Sequence, residues 1–204
     1  MAQYFDNVEL KSEIKKFDVD ILNKKFSFYS DNGVFCKEHL DFGSRLLLEN
    51  IPWDEVTGSI LDVGCGYGPI GIIASKLTGN KAVMCDVNKR ALHLAKMNIK
   101  ENNADALVIE SNCYENITDK YNTIITNPPI RAGKKIVYEI LFGAKEHLEL
   151  DGSLFLVIHK DQGAKSLIKD LNDTYNVQVL EKNKGFFVIK CKIRWLVVKS
   201  VLII

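Results

Sequence analysis

From about residue 59 onward the chain alternates short runs that are apolar at odd and even positions alike with longer segments whose apolar residues recur every three or four. "SILDVG" (59–64), "KAVMCDV" (81–87), "ALVIES" (106–111), "YNTIITN" (121–127) and "SLFLVIH" (153–159) are the short runs, rich in β-branched residues. A strand with one wet face must alternate polar and apolar; these do not, so they suit a sheet covered on both faces. Between them "PIGIIASKLTGN", "NKRALHLAKMNIKENN", "KKIVYEILFGAKEHLELDG" and "DQGAKSLIKDLNDT" carry the helical period, and several end on Gly or Asn as helix C-termini do. Strand, helix, strand repeated implies an α/β fold with a parallel sheet, helices on both faces and right-handed crossovers. Ligands of such sheets lie at the carboxyl ends of the strands.

The two ends of the chain depart from that rhythm. "NVQVLEKNKGFFVIKCKI" reads as two strands around a turn near Asn183–Gly185, so the sheet should reach seven strands and end in an antiparallel hairpin. Before residue 59, "KFSFYSDNGVF" alternates around Asp31, Asn32 and Gly33, a hairpin-turn signal, and "EHLDFGSRLLLENI" reads as an amphipathic helix. The expected organisation is an N-terminal hairpin and helix extension at 1–58 packed on a core at 59–193, followed by an apolar tail at 194–204 of no evident role. With 204 residues, 47% of them hydrophobic, the chain is long enough for one sizeable core.

Composition excludes more than it identifies. The formal charge of +1 gives no global argument for a nucleic-acid or membrane partner, so any such case rests on local patches. The five cysteines are odd in number and too widely spaced for a short metal-ligand motif, which reads as free thiols in a reducing compartment and no metal. The N-terminus lacks an apolar h-region, and "IRWLVVKSVLII" is too short and too charged to span a bilayer. A cytoplasmic protein is expected.

In "LDVGCGYGPIG" (61–71), Gly64, Gly66 and Gly68 follow a strand and let the backbone turn tightly and approach a ligand. Gly66, Gly68 and Gly71 also satisfy G-x-G-x-x-G, with Asp86 twenty residues on, so a dinucleotide site has to be weighed. Asp62 speaks against it: a carboxylate at this loop repels a pyrophosphate and suits a ligand bearing an ammonium or sulfonium. Asp86 closes the second strand, where a carboxylate accepts both hydroxyls of a ribose, or serves with Asn88 as a helix N-cap. Asn112, at the same edge after the third strand, is either an acceptor for an adenine amino group or a turn residue.

The fourth strand ends in "TNPPIRAGKK" (126–135). Two prolines cannot continue a helix or a central strand, so they form a rigid loop that fixes the amide of Asn127 at a strand tip beside positive charge. Arg131 and Lys134 follow as candidate contacts to phosphate or to a base edge. A second basic set, Lys182, Lys184, Lys190, Lys192, Arg194 and Lys199, has no acid among it and reads as a solvated strand face.

In that order "LDVGCGYG", "CDVN" and "TNPPI" resemble the nucleotide loop, ribose acid and catalytic loop of Rossmann-like class I S-adenosylmethionine-dependent methyltransferases that act on exocyclic amino groups. With "GVFCKEHLDFGSRLLLENI", "CDVNKRALHLAKMN" and "HKDQGAKSL" added, the likeness is to the bacterial small-subunit ribosomal RNA guanine-N2 methyltransferase family, over about residues 17–193. The family's larger members carry two such domains; this chain resembles the catalytic copy. The resemblance implies cofactor contacts from Asp62, Gly64, Cys65, Gly66, Gly68, Asp86, Val87, Asn112 and Asn127, with S-adenosylhomocysteine as product. It implies a catalytic loop of Asn127, Pro128 and Pro129, and substrate contacts from Phe35, Ile130, Arg131 and Lys134. The implied partner is ribosomal RNA or the small ribosomal subunit. A base amino nitrogen is a poor nucleophile because its lone pair is delocalised; acceptors at Asn127 and Pro128 that take both of its hydrogens draw the lone pair out of the ring. DNA adenine and protein glutamine methyltransferases usually place an aromatic residue after the prolines, where this chain has Ile130. Those two activities, and a catalytically silent RNA-binding module, are the alternatives.

Overall fold

The computed structural model describes residues 11–34 and 39–194. A two-stranded hairpin, β1 (Lys15–Ile21) and β2 (Lys24–Ser30), precedes helix α1 (Phe42–Asn50). Strands and helices then alternate: β3 (Ile60–Val63), α2 (Pro69–Thr78), β4 (Ala82–Asp86), α3 (Lys89–Glu101), β5 (Ala106–Glu110), β6 (Tyr121–Thr126), α4 (Lys134–His147), β7 (Leu148–His159), α5 (Ala164–Leu171), β8 (Tyr175–Asn183) and β9 (Phe186–Ile193). The seven-stranded sheet runs β5-β4-β3-β6-β7-β9-β8, parallel except where β9 pairs antiparallel with β7 and β8. This is the Rossmann-like fold with a terminal antiparallel hairpin that the alternation implies.

Period two divides the sheet into two cores. Ile60, Met84, Ile125, Phe155 and Val157 pack with α1, α2 and α3 on one face; Leu61, Cys85, Ile124, Leu154 and Leu156 pack with α4 and α5 on the other. Strand order reverses between β3 and β6, so the loops after these strands diverge and leave a crevice at their carboxyl ends. β9 begins with Phe186 opposite His159, the last residue of β7, and thereby reaches the same edge.

Three local readings are corrected. The N-terminal hairpin turns at Leu22–Asn23, whose φ values of 49° and 63° are both positive, as a tight two-residue turn requires. Asp31-Asn32-Gly33 instead ends β2. The buried Asp31 carboxylate accepts from Ser12 Oγ and the amide of Asn32, while the carbonyls of Asn32 and Gly33 accept from Arg90 and Asn88 at the start of α3. The fourth helix stops at His147 rather than running to 152, because Leu148 already pairs with Tyr121 in β7. Lys190 is not a solvated cation but is 9% exposed and ion-paired with Glu55.

The hairpin joins the core through side chains that imitate a strand edge. Asn98, one turn before Asn102 on α3, accepts from Tyr29 N (2.6 Å) and donates to Tyr29 O (2.9 Å). Asn102 repeats the pattern on Ser27, at 3.1 and 2.8 Å. Asn98 also donates to Tyr67 O (2.8 Å), and Phe28 packs edge-on against the Tyr67 ring, so the hairpin holds the loop after β3.

Candidate active site

A cavity of about 370 Å³ opens at the reversal point, between the loops after β3, β4 and β5 on one side and the loop after β6, α1 and the start of β9 on the other. Its first wall is mostly backbone. After β3 the amides of Gly64 and Cys65 both donate to Cys85 O, at 2.9 and 3.0 Å, which folds the loop over the end of β4. Gly66 lines the cavity at φ 56°, and a Cβ built there meets no atom within 4 Å, so the loop presents bare peptide to the cavity. Gly68 does a different job: at φ 92° it precedes α2, and a Cβ there would stand 3.2 to 3.3 Å from Ile72, Ala95 and Met84. Gly71 lets α2 approach Met84 and Asp62.

Two carboxyls serve this wall. Asp86 Oδ2 accepts from Gly66 N (2.8 Å) and Oδ1 from Asn88 N (2.9 Å), which sets the carboxyl at the cavity edge with further lone pairs available. Asn88 is the N-cap of α3, through bonds from the amides of Arg90 and Ala91, so Asp86 is left to the loop. Burial pushes the Asp86 carboxyl up, against the bonds from Asn88, Gly66 and Val87 that favour its ionised form. Asp62 lies behind the loop, fully buried; its Oδ2 accepts from Gly71 N (2.8 Å), and its Oδ1 has no hydrogen-bond partner among the described residues. Burial, with the Asp86 charge nearby, pushes this carboxyl up to about 7. Val87 and Asn112 continue the wall; Asn112 donates its amide to Glu115 (2.9 Å), which leaves its oxygen as the available acceptor.

The second wall is assembled from distant segments. Thr126 Oγ donates to Val63 O (2.8 Å) and ties the end of β6 to β3. Asn127 follows, and its Nδ2 donates to Asp41 Oδ1 (3.2 Å) and Ser44 Oγ (3.0 Å) at the start of α1. The Pro129 carbonyl is taken by the amide of Ala132 (2.9 Å), so the acceptor beside Asn127 is the carbonyl of Pro128. Pro129 also reaches the first wall: a Cβ on Gly64 would lie 3.6 Å from its Cδ. Ile130 and Arg131 line the cavity next to the prolines.

Of the residues singled out from sequence, Gly64, Cys65, Gly66, Asp86, Val87, Asn112, Asn127, Pro128, Pro129, Ile130 and Arg131 share this one cavity. Asp62 and Gly68 support it from behind. Lys134 is not on its wall; its ammonium sits over the Tyr138 ring, 4.6 Å from the centroid. Phe35 lies outside the described residues. Sequence reasoning missed Asp41, Ser44, Phe42 and Phe186, which line the second wall. Asp41 carried a signal, since Asp is a favoured N-cap just before an amphipathic helical pattern, and its carboxyl caps α1 by accepting from Ser44 N (3.0 Å). Among the described residues no group of three His, Cys, Asp or Glu is placed to hold a metal, and no helix is long and apolar enough to cross a membrane.

A glycine loop, a carboxyl at the second strand end and an Asn-Pro-Pro loop across one crevice of this sheet define the class of Rossmann-like S-adenosylmethionine-dependent methyltransferases. The chain belongs to the methyltransferase small domain family, whose match covers residues 25–190. It is 43% identical over 194 residues to the uncharacterized protein YbxB of Bacillus subtilis, covering 93% of this chain and 96% of that one. It is 32% identical over 183 residues to the ribosomal RNA small subunit methyltransferase C of Psychromonas ingrahamii, covering 87% of this chain and 52% of that protein. The chain thus spans about half the length of the small subunit methyltransferases it matches. In fold it is similar to the T. thermophilus 16S rRNA N2 methyltransferase RsmC, solved in complex with AdoMet and guanosine, with a TM-score of 0.80 at 24% identity over 91% of this chain and 52% of that one. A ribosomal protein L11 methylase from Lactobacillus delbrueckii shares the fold at a TM-score of 0.68 and 18% identity, over 81% of this chain and 84% of that one.

Proposed function

We propose that this protein transfers a methyl group from S-adenosylmethionine to an exocyclic amino group, and that the amine is guanine N2 of small-subunit ribosomal RNA. The observation that carries the reading is the meeting of both loops on one cavity: Pro129 packs within reach of Gly64, so an amine held at Asn127 lies against whatever the glycine loop holds. When bound, the cofactor supplies an electrophilic methyl on a sulfonium. The residues fit it. Gly66 leaves room for close approach, Asp86 faces the cavity with lone pairs for two ribose hydroxyls, and Asn112 offers an oxygen to an adenine amino group. Asp62 places a carboxyl under the loop, and a ligand ammonium or sulfonium draws it toward its ionised form.

Asn127 Oδ1 and the Pro128 carbonyl take the two hydrogens of the amino group and direct its lone pair at the methyl carbon. Transfer of that methyl to the nitrogen would leave the electrons of the sulfur–carbon bond on sulfur, so the bound cofactor would itself take up the leaving electron pair. The product nitrogen, acidic once alkylated, then loses a proton to water. Rigid alignment, rather than a strong base, supplies the rate. Ile130 gives the base an apolar contact, and Arg131 brings a cation to the rim for a phosphate. The ribosomal RNA part is supported by the small subunit methyltransferase relatives, and the guanine N2 part by the T. thermophilus enzyme of similar fold and by Ile130 standing where amino-methyltransferases of DNA and protein usually have an aromatic ring.

The test is transfer from radiolabelled S-adenosylmethionine into small subunits, free ribosomal RNA and total protein from cells lacking this gene, with nucleoside mass spectrometry of the product. N2-methylguanosine in small-subunit RNA is the expected result. Label in protein or DNA overturns the substrate and keeps the mechanism; cofactor binding with no transfer to any polymer overturns the activity.

A further inference from the structure

An asparagine side chain has two faces that differ in kind. Its oxygen accepts and its nitrogen donates, and a rotation of half a turn exchanges them. Which one faces the cavity decides what Asn127 can hold. Turned one way, it takes hydrogens from an amine; turned the other, it offers hydrogens to a carbonyl or a bare ring nitrogen and repels an amine.

The rest of the cavity wall decides the matter. Asp41 and Ser44 lie 86 and 83 positions from Asn127 in the chain, and both touch its Nδ2. A serine hydroxyl tolerates either orientation, because it donates or accepts. An ionised carboxylate only accepts, so the reversed amide would set an oxygen against Asp41 Oδ1 at the 3.2 Å now spanned by a hydrogen bond. The carboxylate cannot swing away without loss, since the same Oδ1 accepts from Ser44 N and caps α1. Ser44 is 4% exposed, and Phe186 closes over Gly43 between them: a Cβ on Gly43 would stand 3.1 Å from the Phe186 ring and 3.2 Å from Asp41 Oδ1.

We propose that Asp41 and Ser44 are positioning residues that lock the Asn127 amide with its oxygen toward the cavity, and so restrict the site to nucleophiles that bring N–H hydrogens. The assignment of Asn127 to the amine rests on the reading above; the lock itself does not depend on which polymer carries the amine.

Two variants of the full chain test it. Asp41→Ser keeps a good N-cap for α1 but is too short to hold both Ser44 N and Asn127; Ser44→Ala removes only a hydroxyl. Heteronuclear NMR of the side-chain amides, with the Asn127 pair identified by its absence in Asn127→Ala, reads the lock without any substrate. The pair should exchange slowly with solvent in the wild type, and at least tenfold faster in Asp41→Ser, by rough expectation for an amide released to water. With a methylatable RNA, Asp41→Ser should lower kcat by roughly 10- to 100-fold, with KM for both substrates within about twofold, and Asp41→Asn, which keeps an acceptor oxygen, should restore most of it. Unchanged amide exchange in both variants overturns the lock whatever the activity. So does a loss of kcat accompanied by an equal loss of S-adenosylmethionine affinity, which would make Asp41 a cofactor contact. If no polymer is methylated while the amide responds as described, the substrate reading fails and the lock stands.

Discussion

The two walls of the cavity are built by opposite means. The wall formed by β3, β4 and their loops is continuous in sequence: residues 64–68 and 86–88 follow directly from the strands, and the functional surface is largely peptide backbone. The wall formed by β6, α1 and β9 is a composite in which Asn127, Asp41, Ser44 and Phe186 come from widely separated segments and act through side chains. A backbone wall recognises a common molecule by shape and needs little support. On the proposed reading the side-chain wall performs alignment, and alignment to fractions of an ångström needs neighbours that hold the aligning group.

Asn127→Ala is the sharpest way to separate the two. If Asn127 accepts from the reacting nitrogen as proposed, removing it should cut transfer by roughly 100- to 1000-fold. S-adenosylmethionine affinity, measured by calorimetry, should stay within about threefold of wild type, because the first wall is untouched. A parallel loss of both quantities would mean that the walls are not functionally distinct.

The first wall hides one charge-sensitive element. Asp62 has its carboxyl pushed up to about 7 by burial, so the folded protein holds that proton more tightly than the unfolded chain does. The group's contribution to stability is therefore complete below the ordinary carboxyl value of 3.8 and is lost as the pH rises through about 7. Denaturant unfolding of wild type and Asp62→Asn across pH about 4 to 8 should show a difference whose slope approaches about 1.4 kcal/mol per pH unit at most. Carboxyls held low by partners, such as Asp31 and Glu55, act in the opposite direction but cancel in that difference. Parallel curves would show that Asp62 is ionised throughout.

Asp86→Asn tests the carboxyl at the cavity edge. An amide in its place can accept from Gly66 N or from Asn88 N but must point its own hydrogens at the other. Loss of charge-assisted bonds of about 1.5–3 kcal/mol predicts cofactor affinity lower by roughly 10- to 100-fold. Turnover at saturating cofactor should be nearly kept, the mirror image of Asn127→Ala.

This contrast also explains what could be read before the fold was known. The sheet, the glycine loop, Asp86 and the Asn-Pro-Pro loop were legible because each is a local pattern imposed by strand ends, tight turns and proline. Asp41 was read only as part of an amphipathic helix, since its role depends on a strand end 86 residues away. The hairpin turn was misplaced because Asn-Gly is the stronger local signal, and what overrides it is the set of bonds from Ser12, Arg90 and Asn88 to residues 31–33. Asn98 and Asn102 look like ordinary helix polar residues until β2 lies against them. Lys134 was drawn to the site by its neighbours in sequence, whereas the first turn of α4 carries it onto Tyr138.

Gly66→Ala and Gly43→Ala carry the smallest expected effects, and the first bears most directly on the backbone wall. At φ 56° an L-residue is disfavoured by about 1 kcal/mol, and no protein atom lies within 4 Å of the added Cβ, so the fold should survive with a loss of stability of that order. The methyl group would enter the space the loop leaves for a ligand, and cofactor affinity should fall by a few-fold to roughly tenfold while Asn127 keeps its partners. Gly43→Ala is the counterpart on the other wall. Its φ is not in the left-handed region, but the new Cβ would press on Phe186 and on Asp41 Oδ1. It should therefore lower kcat more than cofactor affinity, by a few-fold. The comparison is decided by the pair measured together: if the two alanines lower the same quantity, the cavity works as one surface, and the division between a binding wall and an aligning wall fails.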